Sequence, residues 1–158
     1  PIIIDLKSLP ADKLVAALLK TIPQKDWPRL RFYSTAPEHT KLIREQRQDA
    51  VVFEDRNVTF ERLMRVAGSH QCTLDKSQPW IAYELVRELN VCDKTKLGST
   101  CLDKLPFEMW TPESVKCSRR MTGAKLVFFG VNTRETYARA RQLGADAVFT
   151  DDVATVKQ

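Results

Sequence analysis

Short apolar runs and longer amphipathic stretches alternate along this chain almost without interruption. Ile2-Ile3-Ile4-Asp5-Leu6 opens as a strand, because a brief apolar run with a polar boundary fits a strand covered on both faces. Pro10 then begins a helical period that puts Leu14, Val15, Leu18, Leu19 and Ile22 on one face, and Pro23 and Pro28 close it. Leu30-Arg31-Phe32-Tyr33-Ser34 reads as the next strand, and Thr35 with Glu38 has the spacing of a capping box for a helix to about Arg47. Ala50-Val51-Val52-Phe53 is a third strand, followed by a helix carrying Phe60, Leu63, Met64 and Ala67 with Asn57 as its cap. Pro79 to Glu84 is a fourth strand. A polar insert without clean periodicity runs from about Leu85 to Trp110, a length at which a loop usually has a function or covers something.

Thr111 and Pro112 mark a helix start, since proline suits the first helical position. Leu126-Val127-Phe128-Phe129-Gly130-Val131 is a strong fifth strand. Asn132 and Glu135 cap a helix that stops at Gly144, Ala147-Val148-Phe149-Thr150 is the sixth strand, and a last helical turn reaches Gln158. Strands separated mostly by single helices argue for an α/β fold with a parallel sheet and helices outside it. Two closures compete, an open doubly wound sheet and a (β/α)8 barrel. A barrel takes eight units and about 250 residues. Six units in 158 residues form roughly three-quarters of one. No glycine-rich phosphate loop follows any strand, which counts against nucleotide-binding open sheets. The expectation is therefore one domain over residues 1–158, with six parallel strands in chain order around an arc.

Composition narrows the picture without changing it. With 43% hydrophobic and 28% charged residues and only five glycines, the chain can bury a core and is neither disordered nor of low complexity. No apolar stretch approaches the roughly 18 residues of a membrane span. The net charge of +5 comes from basic residues dispersed among acids, as in Arg44, Glu45, Arg47 and Asp49. That pattern is a solvated face rather than a nucleic-acid stripe, and a modest positive field suits an anionic phosphate substrate. Cys72, Cys92, Cys101 and Cys117 form no C-x-x-C pair, and His39 and His70 are the only imidazoles, so a zinc site is not expected. Cys92 and Cys101 bracket a polar loop. They are a local disulfide in an oxidising compartment or free thiols in a reducing one, so the localisation stays open between secreted or periplasmic and cytoplasmic.

Candidate chemistry concentrates at the first strand. Alternation puts Ile3, Asp5 and Lys7 on one face. A carboxylate and an ammonium at the carboxyl end of a buried strand are costly unless they meet a cation, an anion or each other. In α/β folds that end is where active sites are built. Glu54, Asp55, Glu84, Asp151 and Asp152 also fall at strand ends, where acids commonly cap the next helix. Trp80 and Tyr83 read as packing residues, and His39 and His70 lie on outer helices, away from any proton-transfer role.

Three stretches together resemble the glycerophosphodiester phosphodiesterase family. Ile3-Ile4-Asp5-Leu6-Lys7 is similar to its apolar-acid-apolar-lysine strand, with aspartate for the usual glutamate. Val127-Phe128-Phe129-Gly130-Val131-Asn132-Thr133 is similar to its Trp-Thr-Val-Asn strand, with Phe129 in place of tryptophan and Gly130 in place of threonine. Leu143 to Asp151 (Leu-Gly-Ala-Asp-Ala-Val-Phe-Thr-Asp) is similar to its closing Leu-Gly-Val-Asp-Gly-Ile-Ile-Thr-Asp. The order matches strands three, seven and eight of that family's TIM barrel. Its His-Arg-Gly, Glu-Asn-Thr and Glu-x-Asp motifs belong to the first two units and are not in this sequence.

The resemblance implies the carboxyl-terminal part of a barrel that hydrolyses glycerophosphodiesters to glycerol phosphate and an alcohol. It implies Asp5 as a ligand of a divalent cation, Mg²⁺ or Ca²⁺. Lys7 would be catalytic and would hold the phosphate, and Phe129 would pack against the glycerol or leaving group. The partners it implies are a glycerophosphodiester or related small phosphodiester and an N-terminal segment with the two remaining units, without which the chain would not turn over. A non-catalytic binding module and a sphingomyelinase D-like phosphodiester lyase are the alternatives.

Overall fold

A computed structural model describes residues 1–72, 78–95 and 98–157; Gln158, where the last expected helical turn ends, lies outside the described residues. Strand β1 (Ile2–Leu6) is followed by helix α1 (Ala11–Thr21), a 3-10 helix (Gln24–Arg29), β2 (Leu30–Ser34), α2 (Pro37–Gln46) and α3 (Arg56–Ser69). After β3 (Trp80–Glu84) come β4 (Val86–Thr95) and β5 (Gly98–Glu108), then α4 (Pro112–Thr122), β6 (Lys125–Phe129), α5 (Arg134–Gln142), β7 (Ala147–Val148) and α6 (Val153–Lys157).

The parallel pairing follows chain order. β1 pairs with β2, with Asp5 opposite Tyr33. The stretch expected as a third strand, residues 50–53, is reduced to a single parallel bridge between Phe32 and Val52. Its backbone still links both sides: Phe32 N donates to Val51 O, Phe53 N to Phe32 O, and Glu54 N to Trp80 O. β3 pairs with β6, with Glu84 opposite Phe129, and β6 pairs with β7.

Strand parity sorts the side chains into two packing layers. Leu6, Leu30, Phe32 and Val52 face outward with Val15, Trp27 and Ile43 from the helices. Ile81, Tyr83, Leu126 and Phe128 do the same with Leu63, Val115 and Ala140. The opposite face of the same strands gathers Tyr33, Phe53, Ala82 and Val127 with Ile3, Trp80, Phe129 and Phe149. Burying both faces is why these strands read as continuous apolar runs.

The insert from Leu85 to Trp110 is not an irregular loop. β4 and β5 form a long antiparallel hairpin in which Cys92 lies opposite Cys101, and those cysteines form a disulfide. Val86, Val91, Leu102 and Leu105 on this ribbon are exposed. A ribbon wet on both faces has no buried side to impose the alternation by which strands are recognised. At its base Met109 N donates to Leu85 O, and the Trp110 indole donates to Tyr83 O at 3.3 Å. A second disulfide joins Cys72, in the chain just beyond α3, to Cys117 on α4.

Several helix starts differ from the expectation. α2 begins at Pro37 with Ala36 as an N-cap that makes no side-chain bond, so Thr35 and Glu38 form no capping box. α3 is capped by Asp55, whose carboxylate accepts from the amides of Asn57 and Val58; Asn57 is a recipient, not the cap. α5 is capped by Thr133 in a box with Thr136 rather than by Asn132 and Glu135. Thr111 caps α4 with Pro112 at the first turn, as expected.

Candidate active site

The inner face ends, at the carboxyl edge of the strands, in a cavity of about 260 Å³ whose wall includes Asp5, Lys7, Tyr33, Arg56, Glu84 and Phe129. Asp5, Lys7 and Phe129, singled out in the sequence, are thus brought together. Parity explains it: Asp5 and Phe129 occupy inward positions at or near the last residue of β1 and β6. Lys7 Nζ lies 2.9 Å from Asp5 Oδ2, and the two side chains are 64% and 34% exposed. The costly pair of charges therefore meets itself and remains open to a ligand. A larger cavity of about 450 Å³ adjoins Ile2, Ile22, Pro23 and Leu30, with Asp26 and Arg29 as its charged groups. Those residues flank the amino-terminal end of β1 and β2, away from Asp5 and Lys7.

The backbone on either side of Lys7 is held from below. Ser34 Oγ lies 2.9 Å from Leu6 O and 2.9 Å from His39 Nδ1, and His39 Nε2 lies 2.9 Å from Ser8 O. The Ser8 carbonyl only accepts, so His39 Nε2 donates to it, while the single proton of the Ser34 hydroxyl goes to Leu6 O. His39 is fully buried on α2, and its ring bonds to Ser34 and Ser8 rather than lining the cavity. His70 is exposed at the end of α3 and meets Glu113 Oε2 at 2.8 Å.

Arg56 is the charged group that sequence reasoning missed. From the first turn of α3 its guanidinium donates to the Tyr33 phenol oxygen at 3.2 Å and to Glu84 Oε1, and it lies 4.4 Å from the centroid of the Tyr83 ring. Burial pushes the Tyr33 phenol above its ordinary value, with Arg56 opposing, so the phenol keeps its proton. Glu84, expected as a helix-capping acid, instead pairs with Arg56, and its buried Oε2 has no hydrogen-bond partner among the described residues. Its parity was the available signal: Glu84 sits directly opposite Phe129. Phe129 is braced edge-on by Tyr33 and Phe149, both with ring centroids 4.8 Å away.

The two C-terminal motifs are bonded to one another. Asn132 Nδ2 donates to Asp151 Oδ2 at 2.6 Å, and Asp151 N donates to Asn132 Oδ1 at 2.9 Å. Asp152 caps the following turn, accepting from Ala154 N and the Thr155 hydroxyl. Glu54 is fully engaged elsewhere, taking both guanidinium nitrogens of Arg62 and the Thr59 hydroxyl in a buried cluster. Asp55 caps α3.

As a donor, the Asp5 carboxylate suits a hard cation. Among the described residues no group of three or more His, Cys, Asp or Glu side chains is arranged to hold a metal, so Asp5 fits such an ion as one ligand of a larger set.

No protein-family model matches the chain. The uncharacterized protein Rv2277c of Mycobacterium tuberculosis (strain H37Rv) is 32% identical over 160 residues, covering 98% of this chain and 52% of that protein. MT2337, an uncharacterized protein of the CDC 1551 / Oshkosh strain, is 32% identical over 98% of this chain and 51% of its own length. The crystal structure of the glycerophosphoryl diester phosphodiesterase domain of Rv2277c superimposes with a TM-score of 0.77 at 32% identity, covering 95% of this chain and 54% of that one. This chain is a relative of that domain. The resemblance read from three short motifs is thus a resemblance of sequence and fold over nearly all of the chain, in the α/β class with the TIM-barrel architecture of such domains. The chain spans about half the length of the curated relatives it matches. No helix among the described residues is long and apolar enough to cross a membrane.

Proposed function

We propose that this chain forms the carboxyl-terminal six βα units of a single metal-dependent barrel domain that hydrolyses glycerophosphodiesters to glycerol phosphate and an alcohol. One observation carries the reading: the Asp5–Lys7 pair opens into a cavity at the carboxyl ends of parallel strands, in a relative of a phosphodiesterase domain. Lys7 approaches a non-bridging phosphate oxygen and offsets the charge that grows there in the transition state. Asp5 is one ligand of a Mg²⁺ or Ca²⁺ ion, and such an ion, when bound, supplies Lewis-acid stabilisation of the phosphoryl oxygens. Phe129 packs against the organic part of the substrate.

The proton-transfer groups come from units outside residues 1–158, since neither His39 nor His70 lines the cavity. The same units cover the outer edge of β1, which among the described residues pairs only with β2, because an uncovered edge is a liability. Two disulfides favour an oxidising compartment.

The test is release of glycerol phosphate from a glycerophosphodiester by the full-length protein, with and without a chelator. Lys7→Ala is expected to lower kcat by about 10²–10³-fold, and Asp5→Asn to raise the divalent-cation concentration needed for half-maximal rate. Residues 1–158 alone are expected to be inactive. Chelator-insensitive turnover by the full-length protein, or unchanged kinetics in both variants, would overturn the metal and lysine roles, and no turnover at all would leave a non-catalytic module.

A further inference from the structure

Lys7 stands one residue beyond β1, and Leu6 opposite Ser34 is the last pair of the β1–β2 ladder. Helix α1 does not begin until Ala11. A segment between two elements has no ladder or helical bonds of its own, and local opening concentrates in such chain. The two carbonyls that flank Lys7 are nonetheless both taken by side chains. Ser34 Oγ donates to Leu6 O at 2.9 Å, and His39 Nε2 donates to Ser8 O at 2.9 Å. His39 Nδ1 lies 2.9 Å from Ser34 Oγ, which joins the two donors, and Ser34 Oγ also accepts from Ala36 N at 3.0 Å.

His39 and Ser34 are both buried, so water does not compete for these bonds and each is stronger than its surface counterpart. A polar pair is a costlier filling for such a space than an apolar side chain unless its polar atoms are used. His39 uses both ring nitrogens, and both go into this network. Helix α2 itself draws only the Ala36 amide bond from it. The Lys7 side chain, by contrast, is well exposed, and its one ionic contact among the described residues is Asp5 Oδ2. A lysine ammonium rides on a flexible four-carbon stem, so its reach is set first by where the backbone points Cβ.

Resting on the phosphate role given to Lys7 above, we propose that His39 and Ser34 clamp the Leu6 and Ser8 carbonyls, and that His39 is thereby a positioning residue for Lys7. His39 touches no ligand. It fixes the stretch of backbone from which the ammonium reaches the phosphate, and a misplacement of about 1 Å in a reacting group costs on the order of 10²-fold. The outer helix α2 so contributes to the phosphate site through the end of β2, without placing a side chain in the cavity.

A double-mutant cycle on phosphate binding tests this without relying on turnover. Titration calorimetry with sn-glycerol 3-phosphate is run on the full-length protein as wild type, His39→Leu, Lys7→Ala and the double variant. Lys7→Ala is expected to weaken binding about tenfold or more, as for a lost charged hydrogen bond. His39→Leu should weaken it roughly fivefold when Lys7 is present and less than about twofold when Lys7 is already alanine. His39→Gln, which keeps an N–H able to reach Ser8 O, should recover most of the loss. Ser34→Ala removes only the hydroxyl, so it serves where His39→Leu fails to fold, and it should show the same coupling to Lys7. Equal losses in both backgrounds, or no recovery with glutamine, would make the network a general support of the fold and overturn the proposal. No binding by the wild type, or an unchanged affinity in Lys7→Ala, would overturn the phosphate role of Lys7 and the clamp with it.

Discussion

Asp146 shows how much a single residue of a recognisable motif can do for the fold alone. It lies in the closing Leu143–Asp151 segment, yet its carboxylate turns away from the cavity to accept from the Leu126 amide at 2.9 Å, Lys125 Nζ at 3.0 Å and Arg119 Nη2 at 3.0 Å. Burial works against the charge, but the Leu126 amide, Lys125 and Arg119 outweigh it and hold the carboxyl below its ordinary value of 3.8. A carboxylate with a depressed folded-state value stabilises the protein above its unfolded value, and that contribution fades as pH falls through the folded one. Asp146→Asn should therefore cost about 1 kcal/mol near neutral pH. In urea unfolding, the gap between variant and wild type should close as pH drops below about 4. A gap of equal size at low pH would mean that the charge is not what matters. The Asp5–Lys7 pair was legible because period-two parity is a property of neighbours in sequence. Arg56 was not, since nothing local says that a residue starting a helix will reach a tyrosine two strands' worth of chain earlier and a glutamate on a later strand.

Helix starts separate local from non-local information at the next scale. Asn57 has the right chemistry for a cap, but the chain is already helical by Arg56 and the cap falls on Asp55. Asp55→Ala should lower stability by about 1 kcal/mol, within the usual span for capping residues. Asn57→Ala should lie within a few tenths of the wild type, since propensity differences at an exposed first-turn position are small. Thermal or urea unfolding of the two variants checks this, and a larger loss from Asn57→Ala would restore the sequence reading. Capping is decided by where the preceding strand lets go, which depends on its partner: Glu54 N is still bonded to Trp80 O. The hairpin β4–β5 escaped recognition for the related reason that its strands are defined by each other and not by a buried face.

Across the whole molecule, two covalent ties act on very different stretches of chain. Cys72 and Cys117 are 45 residues apart and fasten α3 to α4 across β3 and the hairpin, whereas Cys92 and Cys101 are 9 apart and close only the ribbon. On loop-entropy grounds the long tie is worth up to about 4 kcal/mol and the short one about 2.6 kcal/mol. Replacing Cys72 and Cys117 together by alanine should accordingly lower the denaturation midpoint more than replacing Cys92 and Cys101. The reverse order in urea titration would show that the hairpin, not the α3–α4 contact, limits stability.

What the amino-acid order determined by itself was the alternation of strands and helices, the face each strand residue takes, and the family resemblance of three motifs. All of these rest on spacings of a few residues, where backbone geometry alone relates one side chain to the next. Tertiary structure alone decided which of three possible pairings the four cysteines adopt, the shrinkage of residues 50–53 to one bridge, and the turning of Glu84 from a capping acid into Arg56's partner. It also bonded Asn132 of one motif to Asp151 of another. Apart from the Cys92–Cys101 tie, each of those outcomes depends on groups 19 to 45 residues apart. Such distances in sequence become contacts only when the buried strands close side by side, and the free energy of that closure lies in packing that no single segment contains.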